Sequence, residues 1–132
     1  MKHTILGVPV VLLVVALTLI SCGKPQGSGI GSASVPATTV QLNTNNFVQT
    51  TRTIKAGQTL LFSDTVDGGG FHQICLGHNQ MCDTQATGPS ALMSPGFTIQ
   101  SGKTMSVTFP TAGTYQITCT VHPNMNLTVV VQ

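Results

Sequence analysis

The sequence has no tryptophan and no glutamate, and its acidic side chains are confined to Asp64, Asp67 and Asp83. Three isolated aspartates leave little scope for chemistry by paired carboxylates. Charge of either sign is scarce. With Lys2, Lys24, Arg52, Lys55 and Lys103, charged residues make up 6% of 132 positions, and the net charge is +2. Five separated basic residues form no basic face, which argues against nucleic-acid binding. No run of like charge exists and 41% of the residues are apolar, so a charged disordered tail is excluded. The length argues for one folded domain. What the chain does have is Val, Thr, Gly and Ser, a composition that favours an all-β fold.

Apolar residues run together only near the start. Ile5 to Ile20 is interrupted by Gly7, Pro9 and Thr18 alone and follows the basic Lys2. The run is short for a membrane span and reads as a secretory signal over residues 1–21. It ends in Leu19-Ile20-Ser21-Cys22, which resembles the lipobox of bacterial lipoproteins. That resemblance implies lipidation of Cys22 and anchoring at the bacterial cell membrane, facing the periplasm or cell surface. Each buried CH₂ of an acyl chain contributes roughly 0.8 kcal/mol of membrane affinity. Residues 22–37 follow as a Gly/Ser/Pro-rich stretch that cannot bury a core. It is expected to act as a flexible tether with a root-mean-square span of roughly 20 Å.

The folded domain is expected over residues 38–132. Short segments alternate apolar and polar residues: Val40 and Leu42, then Met105, Val107 and Phe109, then Tyr115, Ile117 and Cys119, then Leu127, Val129 and Val131. Each puts one row of side chains on one sheet face. Turn signals separate them at Ala56-Gly57, Asp67-Gly68-Gly69-Gly70, Ser94-Pro95-Gly96, Ser101-Gly102 and Ala112-Gly113. Such spacing suggests a sandwich or barrel. Residues 77–96 lack alternation and read as a long loop with a helical turn.

Beyond Cys22, three cysteines remain. In an exported chain a Cys75–Cys82 disulfide is the economical reading, with two free thiols as the alternative. Its small loop would contribute about 2 kcal/mol. Cys119 is then alone, inward-facing at a strand end, where an unoccupied thiol would be a liability. The segment Cys119-Thr120-Val121-His122-Pro123-Asn124-Met125 supplies a thiolate, an imidazole and a thioether within seven residues. His72 supplies a second imidazole after the glycine turn. His78 is the rival, but it sits in the polar segment between Cys75 and Cys82. Two His, one Cys and a weak Met are the ligand set of a blue-copper electron-transfer site. Zinc fits less well, because Met is not among its usual ligands.

These residues carry a family resemblance. The motif Cys-Thr-x-His-Pro-x-Met at 119–125, the lead-in Ala112 to Thr118, the segment Lys55 to Phe62 and Phe71-His72-Gln73-Ile74 together resemble the cupredoxins. The nearest branch is that of amicyanin, plastocyanin and pseudoazurin. The resemblance implies a cupredoxin-like Greek-key β-sandwich holding one type 1 copper ion at one end through His72, Cys119, His122 and Met125. It implies a one-electron carrier rather than an enzyme, a monomer whose redox protein partners dock near the His122 edge. Pro123, Asn124, Leu92, Met93, Pro95 and Phe97 are candidates for that surface. Two departures stand out. Gln73 replaces the family's Asn, which hydrogen-bonds near the Cys sulfur, and Val121 replaces a frequent Pro. The alternative on the same fold is a copper-handling protein. A metal-free structural sandwich, or an enzyme with Cys119 as nucleophile and His122 as base, are further readings, the last lacking an evident orienting acid.

Overall fold

The computed structural model describes residues 36–65 and 69–132. The expected signal segment, Cys22, nearly all of the tether and the Asp67-Gly68 part of the glycine turn lie outside the described residues. Within them, nine strands form two sheets, and the one helical element is a 3-10 turn at Ser90–Leu92. No helix among the described residues is long and apolar enough to cross a membrane.

The strands are β1 Thr39–Gln41, β2 Thr51–Ile54, β3 Thr59–Asp64, β4 Phe71–His78, β5 Met81–Cys82, β6 Phe97–Gln100, β7 Lys103–Thr108, β8 Gly113–Cys119 and β9 Asn126–Val131. One sheet has the order β1-β3-β7. The other has the order β2-β9-β8-β4-β5, with β6 also pairing with β4. Two pairings are parallel, β1 with β3 and β2 with β9, which requires the chain to cross between sheets rather than meander. The all-β sandwich expected from alternation is the fold observed.

The two inner faces make the core. Val40, Leu42, Leu60, Phe62, Val107 and Phe109 come from the smaller sheet and its ends. They face Ile54, Ile74, Leu76, Ile99, Ile117, Leu127, Val129 and Val131. Alternation is cleanest in β9, where Leu127, Val129 and Val131 are buried and their neighbours half-exposed. Aromatic rings lock the layers edge to face: Phe62 lies 5.5 Å from Phe97 and 6.4 Å from Phe47, and Phe109 lies 5.3 Å from Tyr115. Such contacts add roughly 0.5–1.5 kcal/mol beyond burial.

Residues 77–96 are less irregular than their composition suggests. β4 continues through Gly77 and His78 and turns at Asn79-Gln80 into β5, pairing Gly77 with Cys82 and His78 with Met81. Both turn residues have positive φ, 50° and 66°, the hand that a two-residue hairpin requires. Asn79 and Gln80 adopt it without glycine because the surroundings hold them. Asn79 N–H donates to the Asn126 side chain at 2.9 Å, and Gln80 N–H donates to Thr118 Oγ1 at 3.1 Å. A disulfide joins Cys75 to Cys82, with Cα atoms 5.6 Å apart.

Candidate metal centre

The site is built where β4 and β8 lie side by side. Their register pairs Ile74 with Cys119, so the start of β4 reaches the end of β8. His72, two residues before Ile74, shares its buried face, and its side chain is fully enclosed. Cys119 is also fully buried and is the free cysteine among the described residues.

After Cys119 the chain folds back on itself. Cys119 N–H donates to Met125 C=O at 3.0 Å, and Thr120 N–H donates to Gln73 C=O at 2.9 Å. Asn124 takes φ 61°, a left-handed conformation that Asn tolerates better than most residues. Thr118 Oγ1, buried, also donates to Met125 C=O at 3.2 Å. These bonds close a tight loop that brings His122 and Met125 back over Cys119.

The outcome is a cluster. Cys119 Sγ lies 3.8 Å from His72 Nδ1 and 3.7 Å from His122 Nδ1. One ligating atom from each residue lies within 4.8 Å of the others. The imidazole rings tilt against each other with centroids 4.9 Å apart. Among the described residues this is the one group of three His, Cys, Asp or Glu side chains placed to hold a metal. Met125, at the end of the same loop, is buried. His122 is only half-buried, so one imidazole is enclosed and the other reaches solvent.

Burial holds His72 below the usual imidazole value, and the nearby His122 lowers it further; Asp64 and the Asn43 backbone oppose both. The ring is therefore kept neutral, the form that can ligate a metal. Asp64, which sequence reasoning passed over, is fully buried with Oδ2 3.9 Å from His72 Nε2. Its signal was slight: an acid ending an apolar strand, just before the glycine turn.

The remaining candidates fall elsewhere. His78 is exposed, on the hairpin opposite Met81, outside the cluster. Gln73 turns its amide to Pro95 C=O at 3.1 Å. It contributes to the loop through its backbone carbonyl instead. Leu92 and Phe97, proposed for the docking surface, are core residues and not surface ones, because the 3-10 turn and β6 face inward. Phe71 and Val121, each next in sequence to a candidate ligand histidine, are exposed large apolar side chains, and Met93, Pro95 and Pro123 among the proposed surface residues are exposed as well. A cleft of about 670 Å³ lies between the β4–β5 hairpin and Tyr115, and none of the four candidate ligands lines it.

A buried thiol between two imidazoles, with a buried methionine closing the same loop, defines a centre for a soft transition-metal ion. Solved structures with the same fold include reduced amicyanin bearing a point mutation, 22% identical, covering 76% of this chain and 87% of that one, with a TM-score of 0.54. Amicyanin from Paracoccus versutus is 21% identical over 76% of this chain and 86% of its own, with a TM-score of 0.54. No curated protein matches this sequence significantly. The family model described as "Copper binding proteins, plastocyanin/azurin family" matches residues 35–132. The chain belongs to that family, and its cofactor is one copper ion.

Proposed function

We propose that the protein is an exported, membrane-tethered blue copper protein that carries one electron between redox partners, with His72, Cys119, His122 and Met125 as the copper ligands. The observation that supports this most is the convergence of Cys119 Sγ with both imidazole Nδ1 atoms inside 4.8 Å, with Met125 buried at the end of the same loop. Copper bound there supplies a Cu(II)/Cu(I) couple. The chain's contribution is to hold the donors still in both states. Cys119 and His72 are anchored on neighbouring strands, and the 120–125 loop is tied at both ends by backbone hydrogen bonds. A rigid donor set minimises rearrangement when charge changes.

The half-buried His122 is the route by which an electron enters and leaves. Exposed Phe71, Val121 and Pro123, each next in sequence to a candidate ligand histidine, offer apolar contact, and the charged side chains are few. Docking on such a surface shows weak salt dependence. The tether reading rests on residues 1–37 of the sequence: Cys22 carries the lipid and the Gly/Ser/Pro stretch lets the domain reorient at the membrane. The disulfide at Cys75–Cys82 is in keeping with an oxidising compartment.

Cyclic voltammetry of the copper-loaded protein tests the carrier reading. A reversible one-electron wave supports it. Rapid loss of copper to a mild chelator without a stable couple would favour a copper-handling role instead. For the anchor, Cys22→Ala should move the protein from the membrane to the soluble fraction, and unchanged fractionation would reject it.

A further inference from the structure

Asp64 is a buried acid with no hydrogen-bond partner on either carboxylate oxygen. His72 Nε2 is likewise buried and without one. The two unsatisfied groups face each other at 3.9 Å, beyond a hydrogen bond but within reach of charge. A buried carboxylate left alone is costly, so its position calls for a compensating positive centre. Asp64 comes from β3 in the smaller sheet and His72 from β4 in the larger, so the contact bridges the sandwich.

The fold holds Asp64 in place. Gly102 N–H donates to its backbone carbonyl at 2.7 Å, and β7 pairs it with Lys103. Lys103 is exposed and makes no ion pair with it. Gly69 lies against the carboxylate, where a Cβ would fall 2.4 Å from Oδ1. Space for the acid therefore exists because position 69 carries no side chain.

We propose that Asp64 is a positioning residue of the metal centre: its carboxylate keeps the His72 proton on Nε2, leaves Nδ1 free toward Cys119, and supplies a fixed negative charge beside the copper. The inference rests on the copper reading and deepens it. The thiolate alone leaves a Cu(II) centre at +1 and a Cu(I) centre neutral. A fixed negative charge favours the oxidised form and lowers the potential. The Asn43 backbone also acts on the ring, in the same direction as Asp64, and Asp64→Asn leaves it in place while removing the carboxylate charge.

Two measurements test this. Nitrogen-15 NMR of the copper-free wild-type protein should show His72 as the Nε2–H tautomer; the Nδ1–H tautomer would overturn the proposal without any variant. Voltammetry of copper-loaded Asp64→Asn should give a potential at least about 59 mV higher, equivalent to a tenfold shift in relative affinity toward Cu(I). Asp64→Glu, which keeps the charge, should return toward the wild-type value. A potential unchanged in Asp64→Asn would overturn the proposal. Should that variant not fold, the potential of Asp64→Ser decides in its place. A wild-type protein that binds no copper would refute the carrier reading, while an Nδ1–H tautomer in the copper-free protein would separately overturn the role of Asp64.

Discussion

Thr118→Val probes the tie between the hairpin and the ligand loop. The Thr118 hydroxyl is fully buried. It accepts from Gln80 N–H at 3.1 Å and donates to Met125 C=O at 3.2 Å. Valine has nearly the same shape and can do neither. Met125 C=O keeps its bond from Cys119 N–H, so the loss there is about 1 kcal/mol. Gln80 N–H loses its acceptor, at about 1–3 kcal/mol, toward the lower end because Gln80 lies at an exposed turn. The expected loss is about 2 kcal/mol, lowering Tm by roughly 8–16 °C for a domain of this size. Urea unfolding of the copper-free protein measures it. Thr108→Val is the control. Its hydroxyl meets Thr59 Oγ1 at 2.8 Å, but on an exposed surface, and it should cost under about 0.5 kcal/mol. Equal stabilities for the two variants would refute the claim that Thr118 ties the loop. The copper spectrum should shift in Thr118→Val alone, because only it loosens the backbone at Met125.

Gly96→Ala should destabilise severely, by about 3 kcal/mol or more, since Gly96 has φ 80° and a Cβ would lie 2.0 Å from Ile74 C=O on β4. Gly57→Ala shares a positive φ of 83° but meets nothing within 4 Å, so about 1 kcal/mol is expected; equal losses in urea would contradict the steric argument. Replacing Cys75 and Cys82 together by Ala should cost about 2 kcal/mol by freeing an eight-residue loop in the unfolded chain, read from the shift in denaturant midpoint. Acid should destabilise the copper-free protein. Burial depresses His72, so the unfolded chain takes up a proton at pH values where the folded chain does not. Stability is full above the unfolded value of 6.5 and is lost as pH falls toward the folded one. At pH 5 the loss cannot exceed about 2 kcal/mol. A midpoint that is the same at pH 5 and pH 7.5, or a difference that persists in His72→Gln, would contradict this.

Much of the fold was legible because β7, β8 and β9 alternate cleanly over six or seven residues. β2 and β6 were not, since four residues give alternation too little room to register. The β4–β5 hairpin was hidden for a different reason. Asn79 and Gln80 take positive φ through contacts with Asn126 and Thr118 some 40 residues away, not through a glycine that a reader could see. At the metal centre, Cys119, His122 and Met125 announce themselves because one short loop carries all three. His72 could be placed by its position on a strand after a turn. Asp64 could not, because its role depends on how the two sheets pack. The docking surface misled for a similar reason: Leu92 and Phe97 look available in sequence, yet the 3-10 turn and β6 direct them into the core.

The most direct test is titration of the purified copper-free protein with Cu(II), followed by visible absorption. The account requires an intense thiolate-to-copper charge-transfer band that saturates at one equivalent, vanishes on reduction and is absent in Cys119→Ser. A solution that stays colourless, or an identical band in Cys119→Ser, would contradict it.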